Sequence, residues 1–146
     1  MDNDESQTSL SFAGFRWEQA RRRPLDFEVV FAQERVVINT LEGPVNANAG
    51  DAIVTGIRGE RWPVPAARFA GLYEPVPPTR MGEGGSYRRQ AVSVSTSRLR
   101  QPFSVTLVGG RGVLSGKAGD WLVRHPDGSL NIVADQIFQK TYELMT

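Results

Sequence analysis

The sequence contains no cysteine and only one histidine. The absence of cysteine excludes disulfide bonds, thiolate catalysis, iron-sulfur clusters and cysteine-bound zinc. A single histidine excludes a metal site built from several imidazoles. We therefore predict no metal site and no cofactor, and a chain of 146 residues is long enough to bury a core without one.

The chain also lacks a strong excess of either charge and any long hydrophobic run. Seventeen Lys and Arg against sixteen Asp and Glu give a net charge of +1, so we expect no nucleic-acid partner. No apolar stretch approaches the roughly 20 residues that span a bilayer, so we expect no membrane partner. The segment 1–11 is acidic and polar, unlike a signal peptide, and predicts a disordered tail on a cytoplasmic protein.

Glycine and proline are plentiful, with 15 and 9 residues, which is typical of a turn-rich β protein. The chain also contains an internal repeat. When Gly50 is placed on Gly119, residues 49–76 align without a gap with residues 118–145. Chance would give roughly two identities in such a window. The identical pairs are Ala49/Ala118, Gly50/Gly119, Asp51/Asp120, Val54/Val123, Gly59/Gly128, Val64/Val133, Phe69/Phe138, Tyr73/Tyr142 and Glu74/Glu143.

Both copies predict the same elements, because β-type runs are separated by glycine turns and followed by a short helix in which Phe and Tyr lie one helical turn apart. In the second copy Asp135 is the expected helix N-cap. The predicted strands are 25–31, 35–40, 52–55 and 61–64 in the first copy and 91–95, 103–107, 121–124 and 130–133 in the second, with helices at 66–72 and 135–141.

The sequence therefore predicts an α+β fold, predominantly antiparallel β, made of two pseudo-symmetric tandem modules of about four strands and one short helix each. The first module spans 12–76, a linker rich in Pro and Gly spans 77–87, and the second module spans 88–146. Modules of this size are marginally stable alone, so we expect the two to pack as one compact domain.

The segment Thr40–Val64, with its Gly-Asp centre, and the ending Phe69–Pro75 resemble the PGDYG-type proteins of bacteria and phages, here in two tandem copies. Those proteins carry a Pro-Gly-Asp-aromatic core, a Lys-Gly-Glu turn and a Phe-x-x-x-Tyr-Glu-Pro end. The sequence departs from this pattern, because Ala49 and Ala118 replace the proline and the aromatic residue survives only as Trp121. The family has no established activity, so the resemblance implies architecture alone.

Four residues are candidates for ligand binding: Glu60, Arg61, Trp62 and Asp51. The first three offer a stacking surface beside charged groups, although strand alternation sends Arg61 to the opposite face unless the strand bulges. The second copy has Ser-Leu-Asn at these positions, so a site there would be asymmetric and on the first copy. Asp51 and its equivalent Asp120 could share a proton, but a turn in which each carboxylate accepts backbone N–H groups is the favoured interpretation.

Other motifs favour structural roles. The pairs Tyr73-Glu74 and Tyr142-Glu143 could serve acid-base chemistry, but we expect the tyrosines to pack in the core. His125 precedes a Pro-Asp-Gly turn without a triad partner, and we expect it to be an exposed turn residue. The segment Gly109–Gly112 leads into a strand, whereas a phosphate-binding loop opens a helix.

No convergent catalytic set is present, so no catalytic residue is predicted. We interpret the protein as a non-enzymatic binding or protein-interaction module. One alternative is a protein that binds a small molecule or nucleotide, or a small enzyme, with its site in the cleft between the modules. Another is a structural or regulatory protein that acts by oligomerising, for example as a homodimer.

Overall fold

The computed structural model describes Phe12 and residues 14–145 of the chain. The predicted tail, 1–11, lies outside the described residues. The strands are β1 (Glu18–Arg22), β2 (Asp26–Phe31), β3 (Val36–Thr40), β4 (Gly43–Ala47), β5 (Ala52–Thr55), β6 (Arg61–Val64), β7 (Tyr73–Pro75), β8 (Gly85–Arg89), β9 (Ser93–Arg98), β10 (Phe103–Leu107), β11 (Gly112–Gly116), β12 (Trp121–Arg124), β13 (Leu130–Val133) and β14 (Tyr142–Leu144). The α-helices are α1 (Ala66–Leu72) and α2 (Asp135–Thr141).

The strands form three antiparallel sheets, and the fold is α+β with a predominance of antiparallel β, as predicted. The first five-stranded sheet has the order β6-β5-β2-β8-β7 and the second has the order β13-β12-β9-β1-β14. A four-stranded sheet, β10-β11-β4-β3, joins them because β4 pairs with β11. Strand β2 shows the sequence logic: Phe27 and Val29 are buried, whereas Asp26, Glu28 and Val30 between and beside them are exposed.

The two five-stranded sheets have the same order of elements. Strands β2, β5, β6 and β7 correspond, in chain order and in their places in the sheet, to β9, β12, β13 and β14. Strands β1 and β8 occupy each other's place: β1 precedes β2 in the chain but pairs with β9 and β14, and β8 precedes β9 but pairs with β2 and β7. Each sheet is therefore completed by a strand that comes from the other half of the chain.

The predicted linker, 77–87, contains the start of β8. Tyr87 is fully buried, and its hydroxyl lies 2.7 Å from the carbonyl oxygen of Glu83 and 3.0 Å from that of Arg80. The same oxygen accepts a hydrogen bond from the amide of Gly82. Tyr87 thus ties this segment to the first five-stranded sheet.

Glycines permit the close pairing of β4 with β11. Gly43 and Gly112 have φ values of 132° and 135°, where side chains are strained. A Cβ on Gly43 would lie 2.7 Å from the carbonyl oxygen of Val113, and one on Gly112 would collide with the carbonyl oxygen of Pro44. These two turn glycines therefore let the halves of the chain join through one sheet.

The short helices cover the five-stranded sheets with aromatic stacks. Phe69 lies on Tyr73, with ring centroids 4.9 Å apart, and Phe138 lies between Trp121 and Tyr142 at 4.0 and 4.8 Å. The prediction that Asp135 is an N-cap is wrong.

Asp135 is instead the first residue of α2, after Ala134 as the cap. Its carboxylate accepts a hydrogen bond from the indole N–H of Trp121, and so it anchors the aromatic stack.

Candidate ligand-binding cavity

A cavity of about 160 Å³ lies between the two five-stranded sheets, and the four-stranded sheet that joins them also borders it. Runs of consecutive residues border it, 60–65 around β6 and 130–134 around β13, and both strands are edge strands. Successive residues of a strand point to opposite faces, so a consecutive run reaches one space only when the strand's free edge borders it. Leu41 lines the cavity and is 60% exposed, which places an opening near the turn between β3 and β4.

Three of the four predicted ligand-binding residues line this cavity. Glu60, Arg61 and Trp62 all border it, although alternation along β6 separates Arg61 from the other two. They share the space because β6 is an edge strand, and no bulge is needed. Trp62 also packs edge-to-face on Phe27, with ring centroids 6.0 Å apart, which fixes the indole against the core.

Asp51, the fourth candidate, does not line the cavity. Its carboxylate accepts hydrogen bonds from the backbone amides of Asn48 and Ala66, at 2.8 and 3.1 Å, and it pairs with Arg111 at 2.9 Å. Asp120 likewise accepts the amide of Lys117 at 3.0 Å. Both carboxylates close turns.

Two buried arginines lie at the centre of the interface between the sheets. Arg22 on β1 and Arg89 on β8 are 3% and 4% exposed. The guanidinium of Arg22 lies 5.4 Å from the ring centroid of Tyr73, and that of Arg89 lies 4.9 Å from that of Tyr142. Because each cation contacts a tyrosine of the opposite five-stranded sheet, the two cation–π pairs connect the sheets.

The two arginines differ in their hydrogen bonds. Arg89 donates to the carbonyl oxygens of Thr141 and Arg23. The Nε and Nη1 atoms of Arg22 are buried and have no hydrogen-bond partner, and the same is true of Nδ1 of His125. Burial lowers the pKa of Arg89, as expected for a cation away from water. Leaving polar atoms of a buried cation unpaired costs free energy, so Arg22 is a marked exception to the usual rule.

His125 lies at the same end of the cavity and is not the exposed turn residue predicted. Burial, followed by the positive charges of Arg22 and Arg68, lowers its pKa to about 3, so the imidazole is neutral at physiological pH. Arg68 also lines the cavity. Its Nε lies 2.9 Å from the carboxylate of Asp127 and forms an ion pair with it, but the angle at the N–H does not allow a hydrogen bond. We call Arg22, Arg68, Arg89 and His125 the basic end of the cavity.

The turn between β3 and β4 contributes an acid. Glu42 lines the cavity, and burial and then the negative charge of Asp120 raise its pKa to about 7. At the corresponding turn between β10 and β11 lies Arg111, which pairs with Asp51. One half thus has an ion pair where the other has two carboxylates, and the cavity has different charges near its two equivalent turns.

The remaining motifs have structural surroundings. Tyr73 and Tyr142 are buried and line the cavity, whereas Glu74 and Glu143 are exposed. The segment Gly109–Gly112 leads from a short 3-10 turn into β11. In the described part of the chain, no group of three or more His, Asp or Glu side chains could hold a metal ion. The cavity instead combines arginines, two glutamates and apolar walls.

Sequence reasoning missed the two buried arginines. The gap-free alignment of residues 49–76 with residues 118–145 does not extend to β1 and β8. These two strands are separated by slightly fewer residues than the two aligned segments are. Allowing a short gap aligns Arg21-Arg22 with Arg88-Arg89, a signal that was available in the sequence. What the sequence did not reveal is that each strand enters the opposite sheet.

Comparison with known proteins gives one family. The family model described as PGDYG protein matches residues 43–143 in one continuous segment, which runs from β4 to β14. Comparisons with curated proteins and with solved structures gave no significant match. No helix among the described residues has the length and hydrophobicity needed to cross a membrane. Since the matched segment covers more than two thirds of its length, the chain belongs to the PGDYG protein family.

Proposed function

We propose that this protein is a non-enzymatic binding module that takes a small organic molecule into the cavity between its two five-stranded sheets. The observation that carries the proposal is the cavity itself, about 160 Å³ in volume. Protein interiors are close-packed and contain few voids larger than a water molecule. A space of this size inside the fold is therefore unusual and supports a role in holding a ligand.

The residues that line the cavity support this proposal. Leu72, Leu130 and Ile132 supply apolar surface, and Trp62 and Tyr73 add aromatic rings. An interior of mainly apolar side chains with a few polar groups is typical of small-molecule sites. The volume is close to that of the engineered cavity that binds benzene, so a single ring with a short substituent is the size expected.

We also propose that the module arose by tandem duplication. The repeat that places Gly50 on Gly119 and the equal order of elements in the two five-stranded sheets support this origin. Duplicated modules commonly place a site between them, which is where the cavity lies. The cytoplasmic location, and partners such as a second copy of the chain, stay predictions.

Binding is tested by titrating the 15N-labelled full chain with single-ring compounds that are neutral, anionic or cationic. We expect amide shifts to change at residues 60–65 and 130–134, which border the cavity. Ala134→Leu places extra volume at the cavity wall and should abolish these changes. Ala70→Leu adds the same volume on the exposed face of α1 and should leave them intact. If no compound perturbs these residues, or Ala134→Leu binds as the unmodified chain does, the proposal is wrong.

A further inference from the structure

The basic end of the cavity contains more positive charge than the protein neutralises. Arg68 is paired with Asp127. In the described part of the chain, no carboxylate oxygen lies within 4.0 Å, the limit for an ion pair, of the guanidinium of Arg22 or Arg89. Arg89 satisfies part of its guanidinium with backbone carbonyl oxygens. Arg22 has the cation–π contact with Tyr73 and two buried nitrogens without partners.

A buried guanidinium in this condition is costly. Removing a charge from water costs several kcal/mol in real proteins, and the loss is recovered only through partners for its donors. Of the acids that line the cavity, Glu42 has a raised pKa, first because it is buried and then because of the negative charges of Asp120 and Glu60. Neither Glu42 nor Glu60 forms an ion pair with Arg22 among the described residues.

We propose that the ligand is a small organic carboxylate whose anionic group binds at the basic end, against Arg22, and whose apolar body lies along β13. This inference rests on the proposed function and adds the ligand's charge and orientation. A single negative charge matches the cation that lacks a carboxylate partner, and Arg is well suited to carboxylates. Neutral His125 adds a ring nitrogen to the same end without adding a competing charge.

The apolar walls determine the size and the apolar character of the rest of the ligand. Leu130, Ile132 and Ile137 line the cavity from the second half of the chain, and Leu72 and Tyr73 line it from the first. With about 160 Å³ available, a flat ring bearing one carboxylate fits, whereas a nucleotide does not. Benzoate is therefore a suitable probe, and benzyl alcohol, with the same ring and no charge, is its matched neutral analogue.

The test is a titration of the full chain with both probes, followed by NMR. We expect benzoate to bind at least about 10-fold more tightly than benzyl alcohol, the effect of one hydrogen bond to a charged group. Arg22→Gln should reduce benzoate affinity to that of benzyl alcohol and leave benzyl alcohol unchanged. Arg21→Gln, which removes the same charge from an exposed position of β1, should preserve the preference.

The outcomes separate the inference from the proposed function. If benzyl alcohol binds as tightly as benzoate, the cavity takes ligands but the carboxylate assignment is wrong. If phenyl phosphate binds more tightly than benzoate, an anion site exists and the headgroup class is wrong. If neither ring compound binds, the carboxylate assignment and the proposed function are both wrong. Should Arg22→Gln fail to fold, the comparison of the probes on the unmodified chain still decides.

Discussion

Replacing Glu42 by Gln should make the protein more stable at high pH and change little at low pH. Burial and the charges of Asp120 and Glu60 raise the pKa of Glu42 from 4.5 to about 7. Between these values the native state binds more protons than the unfolded state, so stability falls as the pH rises through that window. The glutamine does not ionise and should be free of this loss.

The size of the effect follows from the pKa values. At 1.36 kcal/mol per unit, a rise from 4.5 to about 7 corresponds to about 3 kcal/mol, present in full only above pH 7. Glu42 keeps part of its surface exposed, so solvent screening lowers this to about 2 kcal/mol. For a chain of this size that is a rise in Tm of roughly 4 to 8 °C at pH 8.

The assay is urea unfolding followed by tryptophan fluorescence at pH 4.5 and pH 8, since the chain has three Trp residues. Glu34→Gln removes the same charge from an exposed position between β2 and β3 and serves as the control. The reasoning is refuted if Glu42→Gln gives the same change in the free energy of unfolding at both pH values. It is also refuted if the variant is less stable than the unmodified chain at pH 8.

Three further predictions concern buried groups. Because burial lowers the pKa of His125 from 6.5 to about 3, stability should fall as the pH drops below 6.5, and His125→Gln should remove up to about 2 kcal/mol of this loss at pH 5 in urea titrations. Tyr87→Phe removes the hydroxyl that contacts the backbone of residues 80–83 and should cost about 1–3 kcal/mol, with faster amide hydrogen exchange at Gly82. Phe138→Ala empties the aromatic stack and should lower the free energy of unfolding by about 3–5 kcal/mol in the same urea assay.

Local patterns predicted most of the strands and both helices. Alternation and glycine turns indicated β2, β3, β5 and β6 and their equivalents to within a few residues, because each of these elements carries its own apolar positions. Strands β4, β7, β11 and β14 were not predicted, and neither were β1 and β8. Within β1 only Ala20 and Arg22 are buried, and within β8 only Tyr87 and Arg89. A cation at a core position looks like surface in a sequence, and only the pairing with the other half explains its burial.

The same reason limited prediction of the cavity. Glu60, Arg61 and Trp62 were identified from residues 59–62 alone, because the aligned positions 129–131 have Ser, Leu and Asn instead. Arg22 lies far before Glu60 in the chain and comes near the cavity only because β1 crosses into the second five-stranded sheet. The position of a charge that depends on this strand exchange cannot be recognised from the neighbouring sequence. Residues that lie together on one turn and one strand can be.

A cavity between two equivalent sheets would offer a ligand the same groups twice, and here the equivalent positions differ. Arg22 has unpaired nitrogens where Arg89 is bonded to carbonyl oxygens. His125 aligns with Gly56 in the repeat, so one half supplies a ring nitrogen where the other has no side chain. Glu42 and Arg111 have opposite charges at equivalent turns. Matching strands form both sides of the cavity, but His125 and Glu42 have no counterpart of the same kind across it, so the two sides differ in charge and in hydrogen-bonding groups. We therefore expect a bound ligand to be charged at one end only.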